Sequence, residues 1–284
     1  MTAQLGTVGH AAALEDAVGN VLNLRSAPRR IIAIHPPMVE TVVSLGAGDR
    51  LVGIGGVVLY PESVLLLPRI GGALNFSVEA TLSLNPDLVV MGVDTDATAQ
   101  LAGPLSAMGV AVFLAKYSDF ASITRYIRLL GIALDLGEGA DRVIGAMEAK
   151  AAAVTQKLAG RPVRRVYLET GAAGTAAFQT IRSGHYAEDT IRRAGGLNAF
   201  DLKGPPQVTL EGLAEADPDV VVVLATNTHV TTASIADRPG WTALRAVRQG
   251  RVVVIPRGFM LIPGPRQAEA IEVLARAIHP EAFT

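Results

Sequence analysis

The chain contains no cysteine. Structural disulfides, thiol catalysis and cysteine-held metal sites are therefore excluded. An excess of one charge is also missing, since 25 Lys and Arg stand against 26 Asp and Glu. Non-specific nucleic-acid binding needs a basic field, so nucleic acid is not an expected partner. No apolar run approaches the about 18 residues that a membrane-spanning helix requires. The mean hydropathy of +0.36 reflects buried strands and Ala-rich helices instead. Aromatic residues make up only 5% of the chain, with one tryptophan, which makes a pocket built for a large tetrapyrrole less expected, although a few rings suffice. Charged residues amount to 18% and hydrophobic ones to 50%. A chain of this length and composition builds a substantial core, as one large domain or two ordinary ones.

Enzyme fingerprints are missing as well. "GAGDRL" (46–51) lacks the third glycine of a dinucleotide site, and "TGAAGT" (170–175) has no following lysine to make a phosphate loop. There is no Gly-x-Ser-x-Gly elbow. His10, His35, His185, His229 and His279 show no close metal-ligand spacing. These absences favour binding over catalysis. The opening stretch "MTAQLGTVGHAAAL" has neither the basic nor the apolar region of an export signal. The chain is thus either cytosolic or a mature form with a new start methionine, and residues 1 to about 14 are expected to be a weakly ordered leader.

What the sequence does have is rhythm. Apolar runs of strand length at 30–34, 51–55, 110–115, 164–170 and in "DLVVMG", "DVVVVLA" and "RVVVIP" alternate with helix-like segments. Strands that are apolar throughout, separated by helices, predict parallel sheets covered on both faces. The rhythm stops between Asp119 and about Gly160. There "DFASITRYIRLLGIALDLG" reads as one helix and "EGADRVIGAMEAKAAAVTQKLAG" as a second, longer one. The expected organisation is an entry segment over 1–26, an α/β lobe over 27–137, a linking helix over 138–160 and a second α/β lobe over 161–284.

One local pattern occurs twice, as "SVEATLSLNPDLVV" from Ser77 and "VTLEGLAEADPDVVVV" from Val208. Each copy has a hydroxyl residue suited to an N-cap (Ser77, Thr209), a glutamate in the first helical turn (Glu79, Glu211), a Pro-Asp pair and an apolar strand. A lone first-turn glutamate needs no explanation beyond the helix dipole, worth roughly 0.3–1 kcal/mol. Two at equivalent places imply a chain of two similar halves that meets a symmetric partner.

With "PRRIIAI", "ETVVSLGAGDRLVGIG", "LYPES", "LPRIGG", "AGGLNAF", "WTALRAVRQGRVVVIP" and "PGPRQAEAIEVLARAIHPE" added, the sequence resembles the substrate-binding proteins of ABC importers for iron–siderophore, heme and cobalamin. The resemblance runs from about Ala27 to the end, and it rests on the order and spacing of these stretches. It implies a class III periplasmic binding protein fold, with two Rossmann-like parallel-sheet lobes joined by a single long helix. It implies no catalysis and no catalytic cofactor, but a metal chelate held between the lobes. The partner it implies is a dimeric ABC permease with its ATPase subunits, whose arginines receive Glu79 and Glu211. It implies a monomer in the periplasm or anchored outside the membrane.

Ligands of open α/β sheets gather beyond the carboxyl ends of the strands. The candidate ligand residues are therefore His35, Tyr60, Phe76, Lys116 and Tyr117 in the first lobe. In the second they are Phe178, His185, Tyr186, Arg257, Phe259 and Met260. Asp94–Asp96, Glu169 and Thr226–His229 occupy further strand ends. Each has a plainer reading: packing for Tyr60, a solvated cap for His185, a buried neutral ring for His35, core filling for Met260 and a surface ion pair for Arg257. If the ligand is heme, Tyr60 and His185 are the residue types that bind its ferric iron, and Lys116 or Arg257 suits its carboxylates. A corrinoid is the alternative ligand. A cytosolic two-domain α/β enzyme is the alternative class.

Overall fold

The protein is described by a computed structural model over residues 14–72, 75–93, 100, 102–173, 177–225 and 227–284. It divides into two compact units. The first comprises the chain up to Tyr117 together with Ala121–Ile144, and the second comprises Ser118–Phe120 and Gly145–Thr284.

The first unit opens with a small antiparallel hairpin, β1 (Leu14–Glu15) and β2 (Val21–Leu22). Its turn is organised by the Asp16 carboxylate, which accepts from the backbone N–H groups of Val18 and Asn20 and, across the unit, of Leu114. The sheet follows as β3 (Ile31–Ala33), β4 (Leu51–Ile54), β5 (Leu88–Val93) and β6 (Ala111–Lys116). Their order is β4-β3-β5-β6, parallel throughout. The helices between them are α1 (Pro36–Ser44), α2 (Val78–Ser83) and α3 (Gly103–Ala107). Ile32, Ile34, Val89, Met91 and Leu114 form a core face with every side chain nearly or wholly buried. Apolar runs on both faces of a strand are what a sheet covered on both sides requires.

Helix α4 (Phe120–Ala133) ends before a turn in which Asp135 has φ 59, and α5 (Gly137–Lys157) then runs for 21 residues. At 1.5 Å per residue it is roughly 32 Å long. Ala140, Ile144, Met147, Ala151 and Val154 are buried along it, a stripe at spacings of four and three that marks one packed face. The first turns belong to the first unit, where Asp141 pairs with Arg128 of α4. The later turns belong to the second, where Lys150 meets Glu272 at 3.5 Å.

The second unit repeats the design. Its parallel strands are β7 (Arg164–Glu169), β10 (Gly196–Asn198), β12 (Val220–Ala225) and β13 (Val252–Pro256), in the order β10-β7-β12-β13. Numbered by appearance within each unit, both sheets read 2-1-3-4. A small antiparallel sheet is added by β8 (Gly171–Ala173), β9 (Ala177–Gln179) and β11 (Gln207–Val208). The helices are α6 (Tyr186–Arg193), α7 (Leu210–Ala216), α8 (Thr232–Ala236), α9 (Arg245–Arg248), α10 (Arg257–Met260) and α11 (Gln267–Ile278).

The seven strands expected from apolar runs are present, and both sheets are parallel. The structure adds what those runs do not signal: the hairpin over 14–22, the antiparallel sheet and strand β10. "GLN" at 196–198 is neither long nor apolar, and β10 exists through its register with Arg164–Val166. "GWTALRAV" is not a single helix but a 3₁₀ turn (Trp241–Ala243), an extended Leu244 and the short α9. The turn lets Trp241 enter the core fully buried. The leader expected over residues 1 to about 14 falls almost wholly outside the described residues.

Candidate functional site

A strand order of 2-1-3-4 has its switch point between the first and third strands, which here means β3 beside β5 and β7 beside β12. Crevices at the carboxyl ends of such strands receive ligands in open α/β sheets.

In the first unit, His35 follows β3 as the N-cap residue of α1, and its Nδ1 accepts the backbone N–H of Gly92 at 3.1 Å. Gly92 lies in β5, and a Cβ there would come within 3.0 Å of the Tyr117 ring. His35, Gly92 and Tyr117 therefore close the switch point together. Lys116, at the end of β6, is exposed and has no ion-pair partner among the described residues. Phe76 is half-buried against the core. The loop after β4 is unusual. Val57, Leu59 and Leu66 are exposed, and Tyr60 retains 47% of its surface. Arg69 anchors this loop by donating through Nη1 to the carbonyls of Gly56 and Val58, both at 3.0 Å.

In the second unit, Glu169 ends β7 with 2% of its side chain exposed, and both its oxygens accept from Arg238 at 2.7 and 2.8 Å. The Arg238 guanidinium also lies 4.6 Å from the Trp241 ring centroid and 5.6 Å from that of Phe178. Phe178 is 3% exposed and packs edge-on against Trp241. It is thus a core residue behind the strand end. Met260 and Tyr186 are buried too. None of the three stands at a strand end: Phe178 is the middle residue of β9, Tyr186 opens α6 and Met260 closes α10. Phe259 is half-buried, with the Arg266 guanidinium 5.8 Å from its ring.

Two cavities adjoin these residues. The larger, about 820 Å³, opens at the ends of β12 and β13 and is lined by Asn227, Thr228, Thr231, Thr232, Arg257 and Leu261 among others. Arg257 is exposed there, with no ion-pair partner among the described residues. Sequence reading missed Thr231, Thr232 and Leu261, yet "TNTHVTT" straight after a core strand is a dense run of hydroxyl and amide groups. Asp94–Asp96 and Thr226 lie outside the described residues.

The smaller cavity, about 320 Å³, is lined by His185, Glu188, Asp189 and Asn198 among others. His185 N-caps α6, and its Nδ1 accepts from Ala187 N–H at 3.2 Å. A neutral ring so placed carries its proton on Nε2. Iron ligation through Nε2 would therefore dissolve the cap. Burial pushes the Asp189 carboxyl up, but the Phe120 N–H and the neighbouring Arg193 and Arg192 outweigh it and hold the group below the usual carboxylate range. The described residues contain no group of three or more His, Cys, Asp or Glu able to hold a metal ion.

Both copies of the repeat are built alike. The hydroxyls of Ser77 and Thr209 accept from Ala80 and Gly212 N–H at 3.0 and 3.2 Å. Glu79 and Glu211 are exposed in the first turns of α2 and α7, without ion-pair partners among the described residues.

The family profile described as periplasmic binding protein matches residues 31–257. The ABC transporter substrate-binding lipoprotein YvrC of Bacillus subtilis (strain 168) is 26% identical over 280 residues, covering 95% of this chain and 86% of YvrC. A vitamin B12-binding protein of Vibrio cholerae (strain ATCC 39541) is 26% identical over 250 residues, with 86% of each chain covered. Among solved structures, the periplasmic heme-binding protein BhuT in complex with two hemes superposes with a TM-score of 0.78 at 28% identity, covering 90% of this chain and 99% of BhuT. These relatives are binding proteins rather than enzymes. A two-unit α/β fold with matched parallel sheets, joined by one long helix and matched over most of its length, makes this chain a member of the periplasmic binding protein family and a substrate-binding protein of an ABC transporter.

Proposed function

We propose that the protein captures an iron chelate, heme or a ferric siderophore, outside the cytoplasm and delivers it to a dimeric permease. The observation that carries this reading is the Tyr60 loop. It presents a half-exposed phenol among exposed Val57, Leu59 and Leu66, held by Arg69. Apolar side chains suit the face of a large planar ligand, and a tyrosinate is a hard anionic ligand suited to iron(III). Arg257 and Lys116, exposed at strand ends, suit the carboxylates of heme or of a siderophore. His185 is the weaker iron ligand of the two residues expected from the sequence, because its ring already caps α6.

A corrinoid is the second reading. It is favoured by the vitamin B12-binding relative and by the amide and hydroxyl lining of the larger cavity, which would hydrogen-bond the amides around a corrin ring. Glu79 and Glu211 would be the contacts to the permease, one from each unit. A location in the periplasm or on a lipid anchor follows the pattern of the relatives.

Titration with hemin separates the readings. A Soret shift that Tyr60→Phe abolishes supports heme bound through the Tyr60 hydroxyl. No shift, with quenching of Trp241 fluorescence by a ferric siderophore, assigns the siderophore. Binding of cyanocobalamin alone assigns the corrinoid and overturns the iron reading.

A further inference from the structure

The two short helices that carry Glu79 and Glu211 are each locked to the sheet by the same device. In the first unit the Arg30 side chain donates through Nε and Nη2 to the Leu84 carbonyl at 3.2 and 2.7 Å, and through Nε to that of Asn85 at 3.0 Å. These carbonyls lie at the carboxyl end of α2. The same arginine is tied by its backbone, since the Asp87 carboxylate accepts Arg30 N–H at 2.9 Å and Asp87 N–H donates back to the Arg30 carbonyl. In the second unit the Arg165 Nε donates to the Ala216 carbonyl at 3.2 Å, at the end of α7. The Asp219 carboxylate accepts Arg165 N–H at 2.8 Å, and Asp219 N–H donates to the Arg165 carbonyl. Both connections pass through a left-handed residue, Asn85 at φ 47 and Asp217 at φ 40.

We infer that Arg30 and Arg165 are positioning residues that aim the Glu79 and Glu211 carboxylates for docking. The inference rests on the docking role proposed above. Helices of six and seven residues are too short to persist unaided in water. Each has a hydroxyl cap at its amino end and arginine on its closing carbonyls, Arg30 on α2 and Arg165 on α7, where Arg245 adds a bond to the Asp217 carbonyl at 3.2 Å. The direction of the glutamate is set by helix tilt, and the arginine fixes that tilt to the first strand of its sheet. Neither arginine lines either of the cavities described above, so the device separates docking from binding.

Simple electrostatics predicts the opposite effect for one substitution. Six residues span about 9 Å, within a Debye length of roughly 8–10 Å. If the carboxylates meet cationic partner groups, deleting the Arg30 charge should tighten docking. If Arg30 aims Glu79, Arg30→Ala should weaken it. The test is the affinity of the purified protein for its permease complex in lipid nanodiscs, with Arg30→Ala, Arg165→Ala, Arg30→Lys, Glu79→Ala and Glu211→Ala in parallel. Arg30→Ala and Arg165→Ala are expected to weaken docking on the order of tenfold, a part of what a lost charged hydrogen bond is worth, with ligand affinity unchanged. Arg30→Lys keeps the charge but not the fork on two carbonyls, and is expected to weaken docking less. It also decides the matter if Arg30→Ala fails to fold, because an unchanged affinity then overturns the assignment. Docking that is equal or tighter in the alanine variants, while Glu79→Ala and Glu211→Ala weaken it, overturns the positioning role alone. No effect of the glutamate substitutions overturns the docking reading itself.

Discussion

In the proposed function Tyr60 and Arg69 act as one piece, because the arginine holds the loop that presents the phenol. Arg69 donates its side chain to backbone carbonyls only, in a loop where Val58 and Val64 are buried while Val57, Leu59 and Leu66 are exposed. Arg69→Ala should therefore lower ligand affinity about tenfold and also lower the melting temperature by a few degrees, as the loss of charged hydrogen bonds requires. Calorimetric titration beside thermal melting checks both halves of this expectation. Legibility at this scale was uneven. Ser77 and Thr209 were readable as caps because a hydroxyl before a helix has one dominant use. Met260 was readable as core filling and is buried, whereas Phe178 was readable only as a ligand candidate. Its strand β9 is three residues long and owes its place to pairing with β8 and β11, which no apolar run announces. Arg238 left no local trace because its partner Glu169 is distant in sequence, and Arg69 left none because its acceptors are backbone carbonyls, which any residue supplies.

Close backbone approach limits what the elements tolerate. Gly55 follows β4, and a Cβ placed there would stand 1.8 Å from the Ile34 carbonyl oxygen. Gly55→Ala should destabilise the first unit by about 3 kcal/mol or more, read as a fall in its melting temperature of roughly 10 °C. The Asp219 connection predicts a pH effect. Burial raises the Asp219 pKa, but the Arg165 N–H and the Arg245 hydrogen bond and charge outweigh it, so the folded value is depressed. A depressed carboxylate contributes stability that is present above its unfolded value near 3.9 and lost as pH falls through the folded value. Asp219→Asn should be less stable than the parent at pH 7, with the difference shrinking below about pH 4 in urea melts. Elements with strong apolar runs were legible in sequence. Strand β10, the antiparallel sheet and the hairpin around Asp16 were not, because tertiary pairing rather than composition makes them strands.

The repeated sequence pattern corresponds to a repeated topology. Each unit has a 2-1-3-4 parallel sheet, a capped short helix with an exposed glutamate, and an arginine–aspartate lock. The units differ in an apolar tyrosine loop in one and a polar cavity with Arg257 in the other, and the proposed function places ligand capture in these differences. Docking and binding should then separate under mutation. Reversing Glu79 and Glu211 together to Arg should leave chelate affinity unchanged and abolish uptake into vesicles bearing the permease, and each single reversal should cause a smaller loss. The pairing of two carboxylates was legible because the sequence repeats itself, whereas the chemistry of the ligand was not. The most direct test of the account is native mass spectrometry, with metal analysis and a visible spectrum, of the protein purified from its own host. The account predicts one metal chelate per chain, with iron and either a Soret band or a siderophore charge-transfer band. A metal-free metabolite as the bound species would contradict it.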